Sequence, residues 1–253
     1  MSKKVSSGIS GLDEMIGGGF PEGRVMLIVG GPGTGKTIMC SQFLYDGIHG
    51  NGENGVFISL DESKKHYYSE MKSFGWDFEK AEKERKFAFV DATRMSRVAM
   101  LKEAIFKEES GSLRGKQLPI DKLIQDIQAR IQQTNARRVV VDTLAALVYR
   151  FPDPVERRTT VVDLIESLAD LGVTSLVTTE LGHVGGYERS ALDEEFLVHG
   201  VIMLQTMFSG GTTTRAMQVE KMREAKVNPS LIPYSIDKNG VEVYPNMPLF
   251  GEK

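Results

Sequence analysis

Apolar, β-branched runs recur along the chain at Val25–Val29, Val56–Leu60, Phe87–Val90, Val139–Val141, Val173–Val177 and Val201–Leu204. Each is short and nearly continuous, as in strands buried on both faces of a sheet. In the gaps the period lengthens to that of a helix. Tyr67, Met71 and Phe74 share one face that ends at Gly75; Leu123, Ile127 and Ile131 form a second; Val161, Leu164, Ile165 and Leu168 form a third. Strand and helix in alternation predict an α/β fold with a mostly parallel central sheet and helices on both faces. After Thr213 the runs shorten to Met217–Met222, Pro233–Ile236 and Val241–Tyr244, with Asn239-Gly240 as a hairpin turn between the last two. This predicts a C-terminal antiparallel extension. Ser110 to Pro119 is polar, glycine-bearing and without period, so an exposed loop is expected there.

Between the first strand and a stretch that can continue as a helix (Ile38 to Tyr45) lies Gly30-Gly31-Pro32-Gly33-Thr34-Gly35-Lys36-Thr37. The spacing Gly-x4-Gly-Lys-Thr after a strand and before a helix is a phosphate-binding loop. Glycines let the backbone curl so that several N–H groups face one anion, a curvature that Cβ atoms obstruct. A helix starting at Gly35 or Lys36 aims its unpaired N–H groups and positive dipole end at the same anion. Gly30 through Ile38 are therefore the candidate nucleotide-binding residues. Lys36 would neutralise the β and γ phosphates and Thr37 would hold Mg²⁺, so the expected ligand is a nucleoside triphosphate with its metal.

Arg137-Arg-Val-Val-Val-Asp142-Thr143 is an apolar strand ending in an acid at the carboxyl edge of the sheet, where ligands of open parallel sheets bind. If it neighbours the strand that feeds the loop, Asp142 can hold the metal or a water on it, opposite Thr37. Val56-Phe-Ile-Ser-Leu-Asp61-Glu62 brings two more carboxylates to that edge. In an extended segment adjacent side chains point opposite ways, so one of the two is expected to face the phosphate and orient the attacking water. Glu62 is the favoured base; the alternative is that both acids serve the start of a helix near Ser63.

Composition narrows the classes. The chain has 253 residues, 41% of them hydrophobic, which suits one large α/β domain over residues 1–253. The 31 basic and 34 acidic residues leave a net charge of −3, so any contact with nucleic acid must be local. The run Glu79 to Lys86 mixes both signs at helical spacing and reads as a solvated face. No apolar run reaches the roughly 18 residues of a membrane span, and the opening Met1 to Val5 lacks an apolar core, so a cytoplasmic location is expected. The single Cys40 reads as a small buried apolar residue and Trp76 as a packing aromatic. His49, His66, His183 and His199 lack the clustering of a zinc site.

The stretch Val5-Ser-Ser-Gly-Ile-Ser-Gly-Leu-Asp-Glu-Met-Ile-Gly-Gly-Gly-Phe-Pro-Glu-Gly23, with the loop after it, resembles the opening of KaiC-type ATPases, a branch of the RecA/RadA superfamily. The likeness continues through Asp61-Glu62, where Asp stands in place of the usual first Glu, then Arg137 to Thr143, Thr178-Thr-Glu180, Gly200 to Leu204 and Glu220-Lys-Met-Arg223. It spans nearly the whole chain. The resemblance implies a RecA-like P-loop core, Asp61 and Glu62 as paired catalytic acids, and ATP bound between subunits of a ring, usually a hexamer. It also implies that Lys221 and Arg223 reach the neighbour's γ-phosphate. Their i, i+2 spacing fits outward residues of a strand equally well.

By analogy with the recombinase relatives, two loops would face the ring axis: Val148 to Arg158, with Arg150, Arg157 and Arg158, and Gly182 to Leu192, with His183, Tyr187 and Arg189. Basic residues with an interleaved aromatic suit single-stranded DNA, while Asp153, Glu156, Glu188, Asp193 and Glu194 offset much of that charge. Three outputs stay open: an ATPase beside DNA or a recombinase partner in repair, a self-phosphorylating switch, and an ATP-gated ring that recruits other proteins. Circadian timing is not implied, since the clock protein carries two such domains and a regulated tail.

Overall fold

The computed structural model describes residues 3–93, 119–148, 153–181, 193–209, 212–247 and 249. Its centre is a nine-stranded sheet. In chain order the strands are β1 (Lys4–Val5), β2 (Phe20–Pro21), β3 (Val25–Gly30), β4 (Gly55–Ser59), β5 (Phe87–Asp91), β6 (Arg138–Asp142), β7 (Thr174–Thr179), β8 (Gly200–Ser209), β9 (Thr212–Met222), β10 (Ile232–Asp237) and β11 (Gly240–Val243). β1 and β2 form a separate two-stranded ribbon, and the large sheet runs β11-β10-β9-β8-β3-β7-β6-β4-β5. Strands β8, β3, β7, β6, β4 and β5 are parallel; β9, β10 and β11 are added antiparallel.

Strand residues alternate between two cores, because successive side chains leave a strand on opposite faces. Met26, Ile28, Phe57 and Val140 enter one apolar cluster; Val25, Leu27, Val29, Val56, Ile58, Val139 and Val141 enter the other. The first is covered by α1 (Leu12–Met15), α2 (Lys36–Asp46), α3 (Lys64–Ser73) and α4 (Phe78–Lys83). Here Tyr67 of α3 stacks into an aromatic group with Phe57, Phe89 and Phe78. The second is covered by α5 (Pro119–Thr134), α6 (Leu144–Val148) and α7 (Pro154–Asp170), through Leu123, Ile127 and Ile131 of α5 and Val161, Leu164, Ile165 and Leu168 of α7. A short α8 (Asp193–Leu197) precedes β8. The expected α/β class, with helices on both faces and an antiparallel extension, is the observed one.

Four expectations change. β6 does not neighbour β3: β7 lies between them. The antiparallel part begins earlier than the short runs suggest, since β8 continues to Ser209 and pairs with β9 along the length from Gly200↔Met222 to Ser209↔Thr212. Alternating exposed and half-exposed residues, Phe208 among them, and not a buried apolar run mark that outer hairpin. The β10–β11 turn is Lys238-Asn239, with Gly240 (φ 103°) already paired to Asp237. Arg157 and Arg158 stand on α7, whose first turn is capped by the Asp153 carboxylate accepting from the N–H groups of Val155 and Glu156, so they are not loop residues. Arg150 and the segment from Gly182 to Leu192 fall outside the described residues, as does most of the loop from Ser110. Cys40 and Trp76 are buried in the core, as expected. Among the described residues no helix is long and apolar enough to cross a membrane.

One buried ion pair fixes the helix that follows the loop. Arg138, at 1% exposure, donates to the Glu53 carboxylate (2.7 Å) and to the Phe43 carbonyl at the end of α2 (2.7 Å), with Asp46 at 3.3 Å and its guanidinium over the Phe43 ring. It presses so close to Gly47 that a Cβ there would meet its side chain at 2.4 Å.

Candidate active site

The loop joins the carboxyl end of β3 to α2. Gly33 (φ 73°) and Gly35 (φ 90°) take left-handed backbone angles that only glycine adopts without strain, and Gly35 occupies the N-cap of α2. A Cβ on Gly31 or Gly33 would meet no atom within 4 Å, so the loop is open on that side. Inside the curl Thr34, nearly fully buried, donates from its hydroxyl to the Gly31 carbonyl (2.8 Å). The Lys36 ammonium donates to the carbonyls of Gly30 (2.8 Å) and Gly31 (3.1 Å), holding its charge over the loop.

Although β7 intervenes, Asp142 reaches the loop. Thr37 at the start of α2 donates from its hydroxyl to Asp142 Oδ2 (2.6 Å), and Thr178 of β7 donates to Asp142 Oδ1. The intervening strand thus supplies the second hydroxyl that orients the carboxylate. Burial pushes the Asp142 carboxyl above the usual carboxylate range, opposed by the two hydroxyls and by Lys36. The Asp142–Thr143 peptide is cis.

Beside this pair opens a cleft of about 680 Å³, lined by Lys36, Thr37, Ser59, Asp61, Glu62, His66, Asp91, Asp142 and Glu180 among others. β4 ends at Ser59, and Asp61 and Glu62 lie in the bend after it. The segment is not extended, so the opposite-sides expectation fails and both acids line the same cleft. Ser59 fixes the bend: its hydroxyl donates to the Glu62 carbonyl (2.6 Å) and accepts from the Glu62 N–H (3.0 Å). The residue at the N-cap of α3 is Ser63, with no side-chain cap bond. Burial, then the negative charges of Glu70, Asp142 and Asp61, raise the Glu62 carboxyl to about 7. A carboxylate poised near neutrality in a cleft is what a proton acceptor needs.

Lys221 and Arg223 are not in this cleft. Strand register sets Met222 against Gly200, and Gly200 against Met26, at the start of β3, whereas the loop leaves its end at Gly30. Four residues of strand, roughly 13 Å, separate the two levels. The pair also divides. The Lys221 ammonium donates to the carbonyls of Glu195 in α8 (2.9 Å) and of Val198 just after it (2.7 Å), and burial with the nearby Arg223 lowers its pKa; Arg223 is exposed.

Two contributors were not read from the sequence. Thr178 carried a signal, as a hydroxyl at the carboxyl end of a buried strand. Tyr234, whose hydroxyl donates to the Thr34 carbonyl (2.6 Å), carried none, since the link between β10 and the loop spans two hundred residues.

A glycine loop between strand and helix, a threonine paired to a strand-end aspartate and a parallel sheet with antiparallel edge define a P-loop nucleotide-binding protein of the RecA type. The KaiC ATPase family model matches residues 5–247, and the chain belongs to that family. It is 34% identical to UPF0273 protein MJ1359 of Methanocaldococcus jannaschii, over 96% of this chain and 97% of that one. It is 31% identical to circadian clock protein KaiC3 of Synechocystis sp., over 96% of this chain but 46% of that longer protein. The crystal structure of a KaiC-like protein, PH0186 from Pyrococcus horikoshii, superposes with a TM-score of 0.80 at 36% identity, covering 97% of this chain and 100% of that one.

Proposed function

We propose that residues 1–253 form one ATPase domain that hydrolyses ATP with Mg²⁺ in a homo-oligomeric ring, with a cation from the adjoining subunit completing each site. The observation that carries the reading is the Thr37–Asp142 pair at 2.6 Å beside Glu62 in one cleft. The donor set fits the metal: a hydroxyl whose proton is already given to Asp142, and a carboxylate, are the oxygen ligands magnesium prefers. Bound through Thr37 and Asp142, magnesium would neutralise charge between the β and γ phosphates.

The chain's own groups do the rest. The N–H groups of Gly33 and of Gly35 to Ile38 would hold the phosphates, and Lys36 would exchange its carbonyl partners for phosphate oxygens. Glu62, steered by Ser59, orients a water in line with the scissile bond. The water oxygen bonds to the γ-phosphorus as its bond to the ADP oxygen breaks, and Glu62 takes the proton. Asp61 shares the cleft and keeps the Glu62 carboxyl basic through its charge. Charge on the moving phosphoryl group calls for a further cation. Arg223 lies too far from its own loop and is exposed, which suits donation to a neighbour's site; Lys221, bound to main-chain carbonyls at the end of α8, supports that edge. A hexamer is the ring size the family suggests.

The test is Glu62→Gln. It should bind Mg·ATP with unchanged affinity while turnover falls at least a hundredfold. Unchanged turnover would remove Glu62 as the base. Running the assay with and without single-stranded DNA, and following γ-phosphate label on Ser or Thr, separates a DNA-associated ATPase from a self-phosphorylating switch. A nucleotide-gated scaffold would show neither response.

A further inference from the structure

Tyr234 and Ile236 leave the same face of β10, two residues apart, and both press on the phosphate loop. The Tyr234 ring is buried at 4% exposure, and its hydroxyl donates to the Thr34 carbonyl at 2.6 Å. Ile236 packs on Gly35 so closely that a Cβ there would meet its Cδ1 at 2.4 Å. The hairpin that carries them is itself anchored to α2, because Gln42 accepts from the Val241 N–H (2.7 Å) and donates to the Val241 carbonyl (3.2 Å).

Consider the peptide between Thr34 and Gly35. Across a trans peptide the C=O and N–H point in opposite directions. A hydrogen bond that draws the Thr34 carbonyl toward β10 therefore turns the Gly35 N–H away from β10. Gly35 (φ 90°) has no Cβ to resist rotation of that peptide, so nothing in its own chemistry holds the N–H in place. Tyr234 does.

We infer that Tyr234 is a positioning residue for nucleotide phosphate: its hydroxyl locks the Thr34–Gly35 peptide with the Gly35 N–H presented to the bound phosphates, so that the C-terminal hairpin and phosphate occupancy stabilise each other. The inference rests on the reading of the loop as an ATP site. By linkage, phosphate that uses the Gly35 N–H strengthens the docking of β10, and the effect is reciprocal.

Tyr234→Phe keeps the ring and removes the hydroxyl. Loss of one hydrogen bond that orients a phosphate-binding amide should raise the Kd for Mg·ADP about fivefold to tenfold, and the KM for ATP by a similar factor, while kcat stays within about twofold of wild type. Ser235→Ala is the control: its hydroxyl pairs with Tyr244 on the opposite face of β10, and its loss should leave both constants unchanged. A second measurement needs no variant. Amide exchange of the wild-type 230–240 segment should slow when Mg·ADP is added. Wild-type affinity retained in Tyr234→Phe, a fall in kcat without a change in KM, or exchange indifferent to ADP would each overturn the lock. Wild-type protein that binds no ADP would instead remove the reading beneath it.

Discussion

Asp142 spends both carboxylate oxygens on hydroxyl donors, Thr37 from the loop helix and Thr178 from the strand between. In a buried site an acceptor that loses its donor costs about 1–3 kcal/mol. Thr178→Val, close in shape, should therefore lower unfolding stability by that amount in urea titration at pH 7, and push the Asp142 carboxyl higher still. Glu62 gives a prediction in pH. Its carboxyl titrates at about 7 in the folded protein against an ordinary 4.5, so it is mostly protonated below neutrality and a base above it. At saturating magnesium, kcat/KM for ATP should rise through an ionisation near 7 and level off above it. The sign for stability is the reverse. A carboxyl whose folded pKa is raised binds its proton more tightly in the native state, so its contribution is full below about pH 4.5 and is lost as pH rises through 7. Glu62→Gln should remove that loss, making the variant relatively more stable than wild type at pH 8 than at pH 5. Equal differences at the two pH values would show that Glu62 titrates normally.

Helices α3, α5 and α7 were readable because each buries one stripe at regular spacing. Leu164, fully buried on α7, is part of the stripe that predicted this helix. Leu164→Ala should cost about 2–5 kcal/mol in denaturant unfolding, with nucleotide affinity kept in the folded fraction. The loop, Lys36 and Thr37 were equally readable, since spacing within one strand–turn–helix unit fixes their placement; Asp142 was readable only as an acid ending a strand at the same sheet edge. What failed was pairing between distant segments. Sequence cannot say that β7 inserts between β3 and β6, because any buried parallel strand has the same apolar run. The geometry of Asp61 and Glu62 was missed because Leu60 extends an apolar run whose strand has ended at Ser59, where the Ser59 hydroxyl closes a bend. The outer half of the β8–β9 hairpin is largely exposed and mixes Met207 and Phe208 with threonines and Arg215, so it left no continuous apolar run. Lys221 and Arg223 look alike in a strand reading; only the carbonyls of Glu195 and Val198 show that one is tied down and the other is free to face solvent.

For the molecule as a whole, the sheet register carries the consequence. The loop and its acids sit at one edge, and Arg223 sits near the other, so a single chain cannot close both on one phosphate. In the head-to-tail ring proposed above, those two edges would meet at each interface. Arg223→Ala should keep its mass under ATP yet lose turnover by about a thousandfold, the scale of a trans-acting arginine. Turnover retained in that variant would move the finger elsewhere.

Glu62 and Arg223 serve the same phosphate from different chains in this account, so the most direct measurement mixes their variants. Glu62→Gln and Arg223→Ala, each inactive alone, are unfolded together, refolded at equal concentration and assayed for ATP hydrolysis. Random assortment joins an intact Glu62 to a neighbour's intact Arg223 at about one site in four, so turnover should return to about a quarter of wild type. Mixed rings as inactive as their parents would contradict the shared site.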